Sequence, residues 1–376
     1  MNMKIQDIRT HVIQHTLDKP FGMSQWLWDT RKICLVEVIT DDGVVGWGEC
    51  YGPAFSNAAV IQELYKPHLM GRDPLSRSVL WEKMYNTSRD YGRKGIAVCA
   101  LSGIDIALWD IFGKVVRQPI YKLLGGPFTS SIEGYASAFY YAGEYADNVE
   151  LEAEQVKQRG YHHVKMKVGA VRLEQDAERV RKVRRVLGSD AQIAVDANHA
   201  YTASEAIQFG RAIENERPAW FEEPVEPEDV YGYQKVREIL DIPVAGGESE
   251  YTRFGYRDFL QQRCVDIIQP DATACGGITE SMHIAYMGHA QGVSVYPHVW
   301  GTAIGLAAAM HIIVSIPDTA PSQHSQRPLL ELDQAPNLFR DRLSNLQIGP
   351  IMQVPNGYGL GIELDESMIS HYETHL

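Results

Sequence analysis

Apolar positions alternate with polar ones in the first stretches of the chain. Lys4 to Gln14, Ile33 to Asp41 and Val44 to Glu49 read as strands, and Asp42-Gly43 supplies the hairpin turn between the last two. The period then lengthens to that of helices at Asn57 to His68, Pro74 to Asn86 and Ile96 to Lys114. Gly125-Gly126-Pro127 breaks the pattern. Strands followed by helices predict an α+β unit over residues 1–125.

From Ile132 the rhythm becomes a regular alternation of short apolar runs and amphipathic helices. The runs are Ile132–Ala138, His163–Val168, Gln192–Ala197, Ala219–Glu223, Pro243–Gly247, Asp266–Pro270, Ser294–His298 and Leu329–Leu332. Arg172–Leu187, Ser204–Asn215, Tyr231–Leu240 and Ile278–Gln291 are among the helices between them. Eight such units predict an α/β fold of the closed (β/α)8-barrel, or TIM-barrel, type over residues 126–346. The remainder, from about 347 to 376, is expected to return to the first unit and complete it.

Composition narrows the function without choosing it. The 376 residues are 45% hydrophobic and 22% charged, ordinary for a globular protein. A net charge of −13 argues against nucleic acid and anionic membranes as partners. Five cysteines with no CxxC pair read as reduced thiols, and the opening residues lack the apolar core of a signal peptide, so a cytoplasmic protein is expected.

Candidate chemistry lies at the ends of the predicted barrel strands, where side chains converge on one site. In order these are Lys165 and Lys167, Asp196, Glu222, Glu248, Asp271, His298 and Glu331. Each has a plain structural reading: Asp196 could cap a helix, and His298 is one of thirteen histidines. Their recurrence once per βα unit is harder to explain that way. Asp196, Glu222 and Glu248 present only carboxylates, which suits a hard divalent cation, Mg2+ before zinc. Lys165 and Lys167, two apart on one strand, face the same side. Lys165 is expected to lower the pKa of Lys167 by like-charge repulsion and make it a base. Asp271, one strand before His298, is placed to fix its tautomer.

This order of KxK, D, EEP, GE, D, H and E resembles the mandelate racemase subgroup of the enolase superfamily. GWGE at Gly46–Glu49 and SGIDIALWDIFGK at Ser102–Lys114 look like that family's capping domain. The resemblance implies Asp196, Glu222 and Glu248 as metal ligands, Lys167 and His298 as an acid/base pair, and Asp271 as partner of His298. It places Glu331 where a hydrogen-bond donor to substrate often stands. The muconate-lactonising subgroup carries a lysine where this chain has Asp271. YPHVWGT and LLELDQAPNLFR are similar to acid-sugar enzymes, cycloisomerases first and dehydratases close behind. The implied reaction is removal of the proton next to the carboxylate of an acid sugar or its lactone, followed by β-elimination. Racemisation or epimerisation of a 2-hydroxy acid is the alternative. A sugar-phosphate isomerase or aldolase would need a phosphate cradle, for which Gly276-Gly277 is a weak candidate. Substrate contacts are expected from Asn198, Trp300, Trp26 and Tyr51, with the loops Lys19–Arg31 and Cys50–Asn57 choosing the substrate. A small-molecule carboxylate is the expected partner, and a homo-oligomer the expected assembly.

Overall fold

A computed structural model describes residues 3–144, 146–318 and 327–375. Its first three strands, β1 (Ile5–Gly22), β2 (Leu27–Thr40) and β3 (Val45–Cys50), form an antiparallel sheet in the order β1-β2-β3. The helix Ile96–Val116 lies against this sheet. It is apolar on every side, as a central helix must be, and 89% of its apolar window is buried inside the protein. The glycines of GWGE permit the contact: a Cβ on Gly48 would lie 1.9 Å from the Gly103 carbonyl oxygen, and one on Gly46 2.2 Å from that of Ala107.

The hairpin differs from expectation. Lys19–Arg31 is not a loop: β1 continues to Gly22 and β2 starts at Leu27, leaving four residues for the turn. Asp18, Lys19 and Pro20 read as loop residues, yet they fall in a bulge. The register passes from Thr16↔Thr30 to Phe21↔Trp28, so four residues on the β1 side face one on β2. Cys50–Asn57 is also shorter than a loop, because a helix begins at Ala54.

Eight parallel strands follow: β4 (Ser131–Ala138), β5 (His163–Lys167), β6 (Gln192–Asp196), β7 (Phe221–Glu222), β8 (Val244–Gly246), β9 (Ile267–Ile268), β10 (Ser294–Val295) and β11 (Leu330–Asp333). They are ordered β10-β9-β8-β7-β6-β5-β4-β11, which is the barrel. Several outer helices are amphipathic and capped by their own side chains; Ala203–Ile213, for example, opens on a reciprocal Thr202–Glu205 capping box. The last segment does two things. Strand β12 (Ile351–Gln353) pairs antiparallel with the start of β4, and beyond it Thr374 N donates to the Val12 carbonyl of β1 at 2.7 Å.

Candidate active site at the barrel mouth

Register sets the site. Lys167 pairs with Asp196 across β5 and β6, and Asp196 with Glu222 across β6 and β7, so three ionisable groups share one layer at the strand ends. Glu248 follows two residues beyond β8. Asp196, Glu222 and Glu248 each offer an oxygen within 4.8 Å of the others. Among the described residues, neither histidine nor cysteine joins this group.

The two lysines neutralise the cluster. Lys167 Nζ donates to Asp196 Oδ2 at 2.5 Å. Lys165 Nζ contacts Glu222 and lies 2.8 Å from Glu331 and 3.6 Å from Asp196. Trp220 Nε1 and Gln269 Nε2 donate to the second Glu222 oxygen at 2.9 and 2.6 Å. Gln269 and Asp271 share the two-residue spacing of inward-facing positions, which was the signal available for Gln269 in the sequence.

These contacts correct the expected electrostatics of Lys167. Burial and Lys165 do act to lower its pKa, but Asp196, Glu248 and Glu222 outweigh them and leave it raised above its ordinary value. For Lys165, too, burial is outweighed by Glu222 and Glu331, and its pKa is held well up. Glu222 is pushed up to about 7, chiefly by burial.

His298 and Asp271 meet as the sequence suggested. His298 Nδ1 lies 2.7 Å from Asp271 Oδ2, while Thr273 donates twice to the other Asp271 oxygen. Burial disfavours the imidazolium, but Glu248, Glu331 and the Asp271 hydrogen bond win and push His298 up to about 10. Its Nε2 lies 3.4 Å from Glu248 and 4.0 Å from Glu331. Glu331 is buried, yet Lys165 and His298 hold its pKa down to about 2. An ionised carboxylate can only accept hydrogen bonds, so in this state Glu331 cannot be the donor that the resemblance suggested.

Among the expected substrate contacts, Asn198 stands beside the carboxylates. Its N–H donates to Asp196 at 2.9 Å, and its buried side-chain oxygen has no protein partner. Tyr51 meets the His298 ring edge-on at 6.0 Å and Trp300 at 6.4 Å. Trp26 is different: it is 56% exposed in the hairpin turn, outside this ring cluster. Trp28 and Phe21 join instead, with Trp28 4.9 Å from Trp300 and stacked on Phe21 at 5.4 Å. Phe21 also touches Tyr140, whose ring lies under Lys167 at 5.7 Å. An aromatic wall therefore runs from Lys167 round to His298. The hairpin tip closes against the same rim through Ser24 Oγ to Ala197 O and Gln25 Nε2 to Asn198 O, at 2.8 and 2.6 Å. Arg31 lies behind the wall, between Phe21 and Trp300, in an ion pair with Asp333. Nothing in the sequence alone separated Arg31 from an ordinary strand charge.

Two family models cover most of the chain: the mandelate racemase / muconate lactonizing enzyme N-terminal domain at residues 7–125, and the enolase C-terminal domain-like model at 148–368. A D-galactarolactone cycloisomerase of Agrobacterium fabrum is 40% identical over 98% of this chain and 99% of its own. The crystal structure of the 3,6-anhydro-D-galactonate cycloisomerase from Zobellia galactanivorans superposes with a TM-score of 0.89 at 39% identity, covering 99% of this chain and 100% of that one. A racemase from Streptomyces coelicolor with bound magnesium gives a TM-score of 0.89 at 25% identity, over 98% and 100% of the two chains. With its barrel, its cap and both family models matched in order, the chain belongs to the mandelate racemase / muconate lactonizing enzyme family of the enolase superfamily.

Proposed function

We propose that this protein is a magnesium-dependent cycloisomerase of an acid sugar that carries a lactone or anhydro ring. The observation that carries the reading is the convergence of Lys167 and the His298–Asp271 pair on one three-carboxylate cluster. Full-length likeness to two cycloisomerases supports this outcome over plain dehydration.

Asp196, Glu222 and Glu248 would hold the metal. The donor set is all oxygen, and Glu248 Oε2 is buried without a hydrogen bond, as a ligand atom awaiting a cation would be. A magnesium ion there would stabilise negative charge on the substrate carboxylate and draw the triad's charge away from the two lysines. Lys167 Nζ, held up in pKa while Asp196, Glu248 and Glu222 face it, takes the proton next to the carboxylate as a neutral amine once those carboxylates are engaged and burial and Lys165 are left to lower it. The released C–H electrons form a carbon–carbon double bond as the ring C–O bond breaks. His298, held protonated, gives its proton to the carbon that lost the ring oxygen while the enol hydroxyl next to the carboxylate gives up its own. The product is therefore a keto-acid isomer of the substrate and no water is lost. Asn198 accepts a sugar hydroxyl through its free oxygen, and Tyr51 and Trp300 cover the ring.

On this reading residues 1–125, completed by about 347–376, cap a catalytic barrel of residues 126–346. The protein is a cytoplasmic homo-oligomer acting on a small-molecule carboxylate, with neither nucleic acid nor membrane as partner. The test is a set of acid sugars, their lactones and anhydro forms, incubated with magnesium in deuterium oxide and followed by NMR. The expected product is an isomer bearing one deuterium. Glu222→Gln should abolish turnover, and Lys167→Ala should abolish exchange of the abstracted proton. Full turnover in EDTA would refute the metal assignment, and release of water from an open-chain acid would make the protein a dehydratase.

A further inference from the structure

Glu49 closes the GWGE motif, yet it touches no residue of the carboxylate cluster. It leaves β3 of the cap and enters the barrel rim, where it is 1% exposed. Its two oxygens accept from Thr302 N at 2.9 and 3.1 Å, Thr302 Oγ1 at 2.6 Å and Gly305 N at 2.9 Å. These donors belong to Thr302, the cap residue of the helix Ala303–Ile313, and to Gly305 in its first turn. The carboxylate thus meets two orphan backbone donors, the Thr302 hydroxyl and the positive end of the helix dipole. The barrel side is shaped to admit it. A Cβ on Gly301 would lie 2.1 Å from Glu49 Oε1, and one on Gly305 3.1 Å from Oε2.

Thr302 is four residues beyond His298, on the short segment that carries both His298 and Trp300. Two residues after Glu49, Tyr51 N donates to the Thr273 carbonyl at 3.0 Å. Thr273 in turn supplies both donors to the free oxygen of Asp271. The Tyr51 ring completes the set, edge-on to His298. One three-residue stretch of the cap therefore grips the segment that carries His298 and the segment that carries Asp271.

We propose that Glu49 is a positioning residue for the His298–Asp271 pair, making the acid side of the site depend on docking of the cap. The proposal rests on the acid/base reading of His298 given above. Lys167 stands on β5, and neither of these grips reaches it. Loss of Glu49 should therefore affect one face of the substrate and spare the other. A bulk loss of stability would lower both together.

The experiment uses Glu49→Ala and the isosteric Glu49→Gln in the full-length, magnesium-loaded protein. Histidine side chains are labelled with 15N, and the His298 resonance is assigned from its absence in His298→Asn. In Glu49→Ala the His298 resonance should shift. The His298-dependent protonation step should slow on the order of 100-fold, as for a catalytic group displaced by about 1 Å. Lys167-dependent α-proton exchange should persist and KM should change little. Glu49→Gln keeps one carbonyl oxygen for Thr302 N, so it should recover part of the rate and show a smaller shift in the same direction. If Glu49→Ala does not fold, Glu49→Gln decides alone. An unmoved His298 resonance in the folded variants, or equal losses on both faces, would overturn the proposal. Absence of any proton exchange in the unaltered protein would instead refute the functional reading, and the resonance would still judge the role of Glu49.

Discussion

Replacing Arg31 with Met should cost far more than removal of a surface charge. The guanidinium is 1% exposed and lies 4.6 Å from the centroid of Phe21 and 4.4 Å from that of Trp300. It donates to Asp333 at 2.6 Å and to the Pro336 carbonyl at 3.1 Å. Breaking a buried ion pair from one side costs about 3–5 kcal/mol, because the other charge stays buried. Here the loss belongs at the lower end. Asp333 keeps the Tyr140 hydroxyl and the Ala335 N–H, both at 2.9 Å, and Arg340 stands 3.9 Å away. Methionine fills much of the vacated volume but gives up both cation–π contacts, worth about 0.5–1 kcal/mol each or more when desolvated. The sum is about 4 kcal/mol, to be read from urea denaturation of the parent and the variant under one set of conditions. KM should rise as well, since Trp300 and the hairpin lose a common support. Arg31→Lys should recover only part of the stability, because an ammonium cannot reproduce the planar stack. A loss below about 1 kcal/mol in Arg31→Met would show that Tyr140, Ala335 and Arg340 satisfy Asp333 unaided.

Two further outcomes follow from the same geometry. Gln25→Ala removes a 2.6 Å latch between the hairpin tip and the Asn198 carbonyl, and should raise KM several-fold through a net loss of about 1 kcal/mol, with the magnesium requirement unchanged; an unaltered KM on the true substrate would show that the tip does not close the site. In EDTA the folded protein should lose stability as pH rises from 7 to 10. His298 is pushed up to about 10 against an ordinary 6.5, so its contribution is complete below 6.5 and disappears as pH passes through 10. Glu222 and Glu49, raised to about 7 chiefly by burial, add losses of the same sign at the start of that window. A urea midpoint that stays level or rises between pH 7 and 10 would contradict these directions.

The barrel and its strand-end chemistry were legible because both follow from periodicity. A βα repeat fixes where strands end, and the ends are where polar residues converge, so the positions of Asp196, Glu222, Glu248, Asp271 and His298 at one end of the barrel follow from the repeat itself. What the sequence could not show was how far each charge is offset by another. Lys165 next to Lys167 suggested a lowered pKa, but β6, β7 and β11 bring Asp196, Glu222 and Glu331 against the same two ammonium groups. Cross-strand register decides that balance, and register is not written in any one strand.

The cap was less legible for a related reason. Asp18, Lys19 and Pro20 are loop formers, and the bulge in this long hairpin accommodates them. Trp26 and Trp28 stand two apart, so alternation alone puts them on one face of an extended chain. Strand β2 begins only at Leu27, however, so Trp26 belongs to the turn and is exposed while Trp28 meets Trp300. Glu49 and Arg31 were harder still, because each acts through residues some 250 to 300 positions away. Both are buried on cap strands, and their partners lie beyond barrel strand β10 or at the end of β11 and just after it. A cap that merely covered the barrel would have no need of charges at such positions. These two tie its strands to the segments that carry His298, Trp300 and Asp333, so on the proposed reading the cover over the substrate and the placing of the acid depend on the docking of one sheet.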